Sequence, residues 1–294
     1  PEDRLYDGPA LIAASAGCDG IMCAAGDALT ADTIAGLPNS VRMIATFSVG
    51  YEHVDVAAAA KRNIAVSNTP DVLTDATADI TLLCLLGAAR RAHEGARMLR
   101  TRNWTGWTPT QLMGVHVTGK RLGILGMGRI GQAVADRARA FRMQIHYSNR
   151  SRLPADLEKG AIFHADPDAM LPHCDFLSIN APMSAATRKW VNAERIAKLP
   201  QGAIVVNTAR GGVVDDEALI TALKSGRLAA AGLDVFEGEP KIHPGYYDIP
   251  NAFLIPHMGS ATVETRNAMG FKALDNLEAF LLRNQTPPDL VRPS

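Results

Sequence analysis

An apolar run that ends in a glycine-rich turn, residues 122–131, constrains the fold of this 294-residue chain more than any other feature. The residues before the turn predict a buried parallel strand, and apolar residues recur at helical spacing after it. Gly126 permits a tight turn, Gly128 lets the backbone approach phosphates, and Gly131 lets the helix pack close to the strand. A strand, a glycine turn and a helix N-terminus in this order predict a dinucleotide-binding site.

The end of the next apolar run indicates which dinucleotide is bound. An NAD-specific site usually places Asp or Glu there, where the carboxylate accepts from the ribose 2′-OH. In this chain Ser148 is followed by the neutral Asn149, and then by Arg150 and Arg152. Guanidinium groups favour a dianionic 2′-phosphate through charge-assisted hydrogen bonds. We therefore predict NADP(H) as the cofactor; the alternative is a solvated basic loop with no ligand role.

Composition excludes several classes of function. The chain carries 30 basic and 30 acidic residues without a basic block, so nucleic acid and membrane surfaces are not expected partners. The longest apolar stretch, around residues 80–89, is too short to span a bilayer. The four cysteines lack metal-ligand spacing, which favours reduced thiols in a cytoplasmic protein and predicts no metal site; they are Cys18, Cys23, Cys84 and Cys174.

Short apolar runs alternate with helical patterns along the whole chain, which predicts an α/β fold with two doubly wound parallel-sheet domains. The predicted strands are residues 20–23, 41–46, 64–67, 122–125, 145–148, 176–179, 203–206, 230–235 and 253–255.

The predicted helices place the domain boundaries. Helices are expected around residues 30–35, 54–62, 75–91 and 262–283, and residues 101–120 are expected to form a loop. The last helix is expected to cross back to the first domain. We therefore assign residues 1–93 and 266–294 to a flavodoxin-like substrate domain and residues 94–265 to a Rossmann dinucleotide-binding domain.

Three polar residues follow three successive strands, where the loops of an open α/β sheet form the ligand crevice. Arg210 can hold a carboxylate with its planar fork and polarise a carbonyl. His257 can donate a proton near neutral pH, and Glu239 can orient the imidazole and raise its pKa. Taken singly, a buried structural histidine and an arginine that contacts phosphate or solvent are the alternatives.

Four segments together resemble the D-isomer-specific 2-hydroxyacid dehydrogenase family: residues 126–131, 207–212, 233–240 and 256–260. The resemblance implies that Arg210, Glu239 and His257 are the catalytic set. The family pattern places the catalytic glutamate directly before proline, which selects Glu239 over Glu237.

The resemblance also implies contacts with the cofactor. In that family Asp234 would receive the carboxamide of the nicotinamide. The implied contacts lie on the glycine turn and on loops after strands: Thr77, Gly126, Gly128, Arg129, Ile130, Gly131, Ala181, Pro182, Thr208, Ala209, Asp234, Gly259 and Ser260.

Within the family, residues 47–55 and 68–75 are most similar to glyoxylate/hydroxypyruvate reductases. That similarity implies that the backbone amides of Val49 and Gly50 help to hold the substrate carboxylate. Trp104 and Trp107 also match this subgroup. Trp107 is expected to reach the active site of the neighbouring subunit in a homodimer, and ordinary burial in the interface is the alternative.

These observations predict an NADPH-dependent reductase that converts glyoxylate and hydroxypyruvate into glycolate and D-glycerate. The alternatives are the same chemistry on 2-ketogluconate or a phenylpyruvate, and a nucleotide-sensing, corepressor-like binding protein. One departure from the family is that the substrate domain lacks its opening strand-helix-strand. Because a parallel sheet without a central strand loses hydrogen bonds and packed faces, we expect such a unit upstream of Pro1.

Overall fold

A computed structural model describes residues 6–292 of the chain. The described residues form two compact units, and each is an α/β arrangement with parallel strands, as predicted. We call the residues up to Leu73, together with those from Ser260 onwards, the terminal unit. Residues Thr74–Gly259 are called the central unit.

The terminal unit is built around a four-stranded sheet in the order β1-β2-β3-β11. Strands β1 to β3 are parallel, and β11 pairs with β3 in the antiparallel direction. Its elements are α1 (Gly8–Ala14), β1 (Gly20–Cys23), α2 (Ala31–Gly36), β2 (Met43–Thr46), α3 (Val56–Lys61), β3 (Ala65–Ser67), α11 (Val263–Leu281) and β11 (Leu290–Val291).

The C-terminal helix α11 packs on this sheet, so both ends of the described chain contribute to the terminal unit. Met43 and Ala45 of β2 are fully buried against Ala273 of α11. Thr262 begins the helix, and its side chain accepts from the N–H of Thr265. Such a cap satisfies one of the amides that a helix N-terminus leaves without a partner.

The central unit contains a seven-stranded parallel sheet in the order β10-β9-β8-β7-β4-β5-β6. All the strands are parallel, but the order in which the chain adds them to the sheet changes direction between β4 and β7. Open α/β sheets bind ligands at such a switch point. Its elements are α4 (Thr74–Ala89), α5 (Ala92–Arg100), β4 (Arg121–Leu125), α6 (Arg129–Ala140), β5 (Gln144–Ser148), α7 (Ala155–Glu158), β6 (Ile162–Phe163), α8 (Pro167–Met170), β7 (Phe176–Ile179), α9 (Ala193–Lys198), β8 (Ala203–Asn207), α10 (Asp216–Lys224), β9 (Leu228–Leu233) and β10 (Ala252–Leu254).

Helix α4 belongs to the central unit, so the observed boundary differs from the one expected at residues 93 and 94. Leu82 and Leu85 are buried in the same apolar cluster as Leu122 and Ile124 of β4. The helix also approaches β9 closely, because a Cβ built on Gly232 would lie 2.4 Å from the carbonyl oxygen of Cys84. The second boundary falls at residues 259 and 260 instead of 265 and 266.

Candidate active site

The predicted glycine turn follows β4 and leads into α6. Gly126 has a φ of 93°, which favours glycine, and a Cβ there would meet the backbone N of Ala181 at 2.6 Å. A Cβ on Gly131 would lie 2.4 Å from the carbonyl oxygen of Gly126. Gly128 is exposed, and nothing lies within 4 Å of its Cβ position. The turn thus leaves open space in front of the helix N-terminus, which fits a pyrophosphate.

Asn149 ties the end of β5 to this turn. Its Oδ1 accepts from the N–H of Met127 at 2.6 Å, and its Nδ2 donates to the carbonyl of Met127 at 3.4 Å. Gly126 also donates its N–H to the carbonyl of Ser148 at 3.0 Å. The carboxamide of Asn149 therefore stabilises the turn through hydrogen bonds with its backbone. The sequence did not predict this role.

The two predicted phosphate-binding arginines differ in their surroundings. Arg150 is exposed and forms no hydrogen bond or ion pair with any residue in the range 6–292. Arg152 forms a two-point contact with Glu158, from Nε to Oε1 at 2.9 Å and from Nη2 to Oε2 at 3.0 Å. The sequence did not predict this role of Glu158, because an acidic residue six positions further along the chain carries no signal of the contact.

Arg210 lies after β8, in a loop that Asn207 holds. The Oδ1 of Asn207 accepts from the N–H of Ala209 at 3.0 Å, and its Nδ2 donates to the carbonyl of Arg210 at 2.9 Å. The next residue packs directly on the loop after β9, since a Cβ on Gly211 would lie 1.8 Å from the carbonyl carbon of Phe236. This close approach brings the arginine loop to the segment that carries Glu239. An asparagine at a strand end is a known turn former, so Asn207 had a detectable signal.

Glu239 and His257 form the predicted pair. Nδ1 of His257 lies 2.7 Å from Oε2 of Glu239, while Oε1 of Glu239 accepts from the N–H of Phe236 at 2.6 Å. His257 has a φ of 50°, a left-handed conformation that is uncommon for a residue with a side chain. Its side chain is about half exposed, and Nε2 faces no recorded partner among the described residues.

The pKa values of this pair are shifted in the directions that a proton donor requires. The hydrogen bond with Glu239 raises the pKa of His257 and outweighs the opposing effects of burial and of the Arg210 charge. Burial alone would raise the pKa of Glu239, but the bonds from His257 and Phe236 lower it below its usual value. The arrangement therefore favours an imidazolium held beside a carboxylate.

Asp234 at the end of β9 holds the loop that carries His257. Its Oδ1 accepts from the N–H of Met258 at 2.5 Å, and its Oδ2 accepts from the N–H of Gly259 at 2.9 Å. The N–H of His257 donates to the backbone carbonyl of Asp234 at 2.8 Å. Burial raises the pKa of this carboxyl group, which is only 1% exposed. A contact between Asp234 and a nicotinamide carboxamide stays a prediction.

The other residues of the central unit that the family resemblance implied lie on α4, in the first turn of α6 and in loops after strands. Thr77 donates from Oγ1 to the carbonyl of Gly259 at 3.3 Å, and the hydroxyl of Thr208 lies 2.7 Å from that of Thr81. Both hydroxyls thus help to fix loops at the carboxyl ends of strands. The remaining residues lie in the first turn of α6 or in loops after β7 and β8: Arg129, Ile130, Ala181, Pro182 and Ala209.

Three predicted residues belong to the terminal unit: Val49, Gly50 and Ser260. The carbonyl of Val49 accepts from Nδ2 of Asn68 at 2.8 Å, and that of Gly50 accepts from Oγ of Ser48 at 2.6 Å. No acceptor for the N–H of either Val49 or Gly50 is found between residues 6 and 292. Their amides thus have the capacity that binding of a carboxylate needs, and this role stays a prediction.

Trp107 lies in the stretch before β4, where no helix or strand forms, as predicted. Its side chain is 77% exposed. Over the described part of the chain there is no group of three or more His, Cys, Asp or Glu side chains arranged to hold a metal ion. None of the helices in the same range has the length and apolar character needed to cross a bilayer.

Known proteins share this architecture and sequence. A glycerate dehydrogenase from Hyphomicrobium methylovorum is 48% identical over 251 residues, which cover 85% of this chain and 78% of the relative. A glyoxylate reductase from Thermococcus kodakarensis is 41% identical over 296 residues, covering 99% of this chain and 88% of the relative.

A solved structure adds a match in three dimensions. The NADPH-dependent glyoxylate/hydroxypyruvate reductase from Sinorhizobium meliloti, in complex with NADP and malonate, has a TM-score of 0.85 and 36% identity, and the match covers 94% of this chain and 86% of that one. Residues 82–259 match the family model of the D-isomer specific 2-hydroxyacid dehydrogenase NAD binding domain. Relatives of this chain include glyoxylate reductases, whose named substrate is a 2-keto acid. This chain is a member of the D-isomer specific 2-hydroxyacid dehydrogenase family.

Proposed function

We propose that this enzyme uses NADPH to reduce glyoxylate and hydroxypyruvate to glycolate and D-glycerate. The observation that carries the proposal is the pair formed by His257 and Glu239 in the same unit as Arg210 and the glycine turn. A proton donor with a raised pKa and a cation for a carboxylate are the two groups that reduction of a 2-keto acid requires.

Each side chain has a defined task in this proposal. Arg210 binds the substrate carboxylate and polarises the keto oxygen, while the imidazolium of His257 protonates that oxygen as it gains negative charge. Glu239 keeps the imidazole charged before the reaction and fixes which nitrogen faces the substrate. When bound, the reduced nicotinamide supplies the hydride that is added to the keto carbon. The products are the 2-hydroxy acid and the oxidised nicotinamide.

The preference for NADPH is proposed from the loop after β5. Asn149 presents no negative charge to a 2′-phosphate, and the guanidinium of Arg150 is exposed and without a protein partner in the described range. The related Sinorhizobium meliloti reductase binds NADP, which supports the same preference here.

The choice of small substrates rests on relatives whose names specify glyoxylate reduction. Other 2-keto acids, such as 2-ketogluconate and phenylpyruvate, are the alternatives. The proposal is tested by assaying glyoxylate, hydroxypyruvate, 2-ketogluconate and phenylpyruvate, each with NADPH and with NADH. The rate is followed as the loss of absorbance from the reduced nicotinamide. We expect the highest kcat/KM with NADPH and either glyoxylate or hydroxypyruvate. A higher value with a bulkier acid, or with NADH, would refute the corresponding half of the proposal.

A double variant tests the preference for NADPH. Asn149→Asp combined with Arg150→Ala places a negative charge beside the ribose and removes a cation. The ratio of kcat/KM for NADPH to that for NADH should fall by about tenfold or more, since one charge-assisted contact is worth about 1.5–3 kcal/mol. Arg142→Ala, which removes an exposed arginine at the other end of β5, is the control and should leave the ratio unchanged.

A homodimer is proposed from exposed apolar side chains on α5 and the segment after it. Large apolar side chains exposed in one stretch of a folded chain favour an interaction surface; those of this stretch that are more than half exposed are Leu99, Trp104, Trp107 and Met113. Sedimentation of the wild type and of Trp107→Ala at several concentrations tests this proposal, and a monomeric wild type would contradict it.

The location of the protein in the cell is proposed from its cysteines. The four cysteines are unpaired, which supports a reducing compartment, and we propose the cytoplasm.

A further inference from the structure

Glu158 lies outside every motif that the family resemblance uses, yet it holds one of the two arginines beside the proposed ribose site. We propose that Glu158 is a positioning residue that increases selectivity for NADP(H) by holding Arg152 ready for the 2′-phosphate. This inference rests on the proposed preference for NADPH. It assigns that preference to a side chain that does not itself bind the cofactor.

The geometry of the contact leaves one edge of the guanidinium available. Glu158 occupies the edge formed by Nε and Nη2, with distances of 2.9 and 3.0 Å to its two carboxylate oxygens. Nη1 of Arg152 has no hydrogen-bond partner among residues 6–292, and this side chain is 66% exposed, whereas that of Glu158 is only 7% exposed. The remaining edge, formed by Nη1 and Nη2, can donate two parallel hydrogen bonds to a phosphate.

Glu158 is itself fixed by buried neighbours. The hydroxyl of Tyr147, a fully buried residue of β5, donates to Oε1 of Glu158 at 2.5 Å and accepts from the N–H of Leu153 at 3.0 Å. Nη2 of Arg139 donates to the backbone carbonyl of Glu158 at 2.7 Å. Hydrogen bonds from Arg152 and Tyr147 hold the pKa of Glu158 below its usual value, so the carboxylate is charged at neutral pH.

Two effects of Glu158 on a nearby phosphate oppose each other. A restrained arginine loses less conformational freedom when it binds, which strengthens binding. A carboxylate also repels the phosphate, which weakens binding, but solvent screens this repulsion at the exposed end of Arg152. Our inference is that restraint dominates, and the two effects predict opposite results when Glu158 is changed.

The test measures binding of 2′,5′-ADP and 5′-AMP by titration calorimetry. The ratio of the two dissociation constants reports the contribution of the 2′-phosphate, and a general loss of structure changes both constants. Glu158→Gln removes the charge, whereas Glu158→Asp keeps the charge but shortens the side chain by one methylene and so moves the carboxylate away from Arg152. We expect both variants to lower the selectivity for 2′,5′-ADP by about tenfold, the loss of one well-formed charge-assisted contact.

The matched control is Asp175→Asn. Asp175 forms the same two-point contact with Arg121, at 3.1 and 2.7 Å, at the amino end of β4 and thus at the opposite end of the sheet. It should leave the selectivity unchanged. The Arg152→Ala variant should lose as much selectivity as Glu158→Gln, and combining the two should add nothing further, because Glu158 acts through Arg152.

The outcomes separate this inference from the proposed function. A wild type that binds 2′,5′-ADP no better than 5′-AMP contradicts the proposed preference for NADPH. A selective wild type whose selectivity is unchanged or increased in the Glu158 variants overturns the inference alone. If the melting temperature shows that both Glu158 variants are unfolded, Tyr147→Phe replaces them, because it removes only the hydroxyl that fixes Glu158. It should lower the selectivity in the same direction, and an unchanged ratio would overturn the inference.

Discussion

Nδ1 of His257 lies 2.7 Å from Oε2 of Glu239, although the two residues are 18 positions apart in the chain. The contact leaves Nε2 as the nitrogen that can face a substrate, and it raises the pKa of the imidazole. Both the orientation of the imidazole and its affinity for a proton therefore depend on one carboxylate.

Removal of the imidazole tests the proton donor directly. His257→Ala should lower kcat for reduction of glyoxylate by about 10²- to 10⁴-fold, the usual contribution of a general acid. Stopped-flow or steady-state rates and circular dichroism of the same samples provide the measurement. His116→Gln changes an exposed histidine in the segment before β4 and serves as the control. Full turnover by a folded His257→Ala protein would exclude His257 as the donor.

Loss of the carboxylate should move the pH dependence. In the proposed mechanism reduction requires the imidazolium of His257, so kcat/KM should fall as the pH rises through the pKa of this residue. Glu239→Gln removes the bond that raises this pKa, and the falling limb should therefore move to lower pH. Glu237→Gln is the neighbouring control, since Glu237 pairs with Arg188 instead. An unchanged limb in Glu239→Gln would mean that another group controls the profile.

Two glycines of the turn should respond differently to alanine. Gly128→Ala meets no atom within 4 Å, so the free energy of unfolding should change by less than about 0.5 kcal/mol while binding of NADPH weakens by roughly tenfold. Gly131→Ala meets the carbonyl oxygen of Gly126 and should destabilise the protein by about 1–3 kcal/mol. Urea unfolding and fluorescence titration with NADPH give the two measurements. Equal losses of stability in both variants would contradict the observed difference in space around the two Cβ positions.

We expect the free energy of unfolding to depend on pH, because three histidines outside the candidate site lie close together. Nδ1 of His146 lies 3.0 Å from Nε2 of His164, and the ring of His173 stacks on that of His146. Burial lowers the pKa of His146 to about 4, assisted by the charges of His164, His173 and Arg121 and opposed only by Asp175. Its Nε2 is buried without a hydrogen bond to any described residue.

The sign of the pH effect follows from proton binding. Between about pH 4 and 6.5 the unfolded chain binds a proton at His146 that the folded chain does not, so the free energy of unfolding rises with pH across this window. His146→Gln should flatten this rise in urea unfolding experiments at pH 5, 6 and 7, and His116→Gln should not. A wild type whose stability is constant over this range would contradict the shifted pKa.

The glycine turn, and the position of Arg210, Glu239 and His257 on loops after strands, could be predicted from sequence because each lies in a short local pattern at a strand end. The position of α4 could not, because that helix is apolar on nearly all sides and its sequence does not specify which unit it packs on. Helix α5 was missed since it buries no residue, and β11 because it is two residues long. The contact between Arg152 and Glu158 depends on two long side chains that follow no periodicity.

The carboxylate of Asp234 holds the histidine loop through the backbone N–H groups of Met258 and Gly259. The clamp uses no atom of the Met258 side chain, which is 38% exposed. Nineteen amino acids supply such an N–H donor and proline does not. The clamp itself therefore constrains residue 258 only to supply an amide N–H, whatever its side chain.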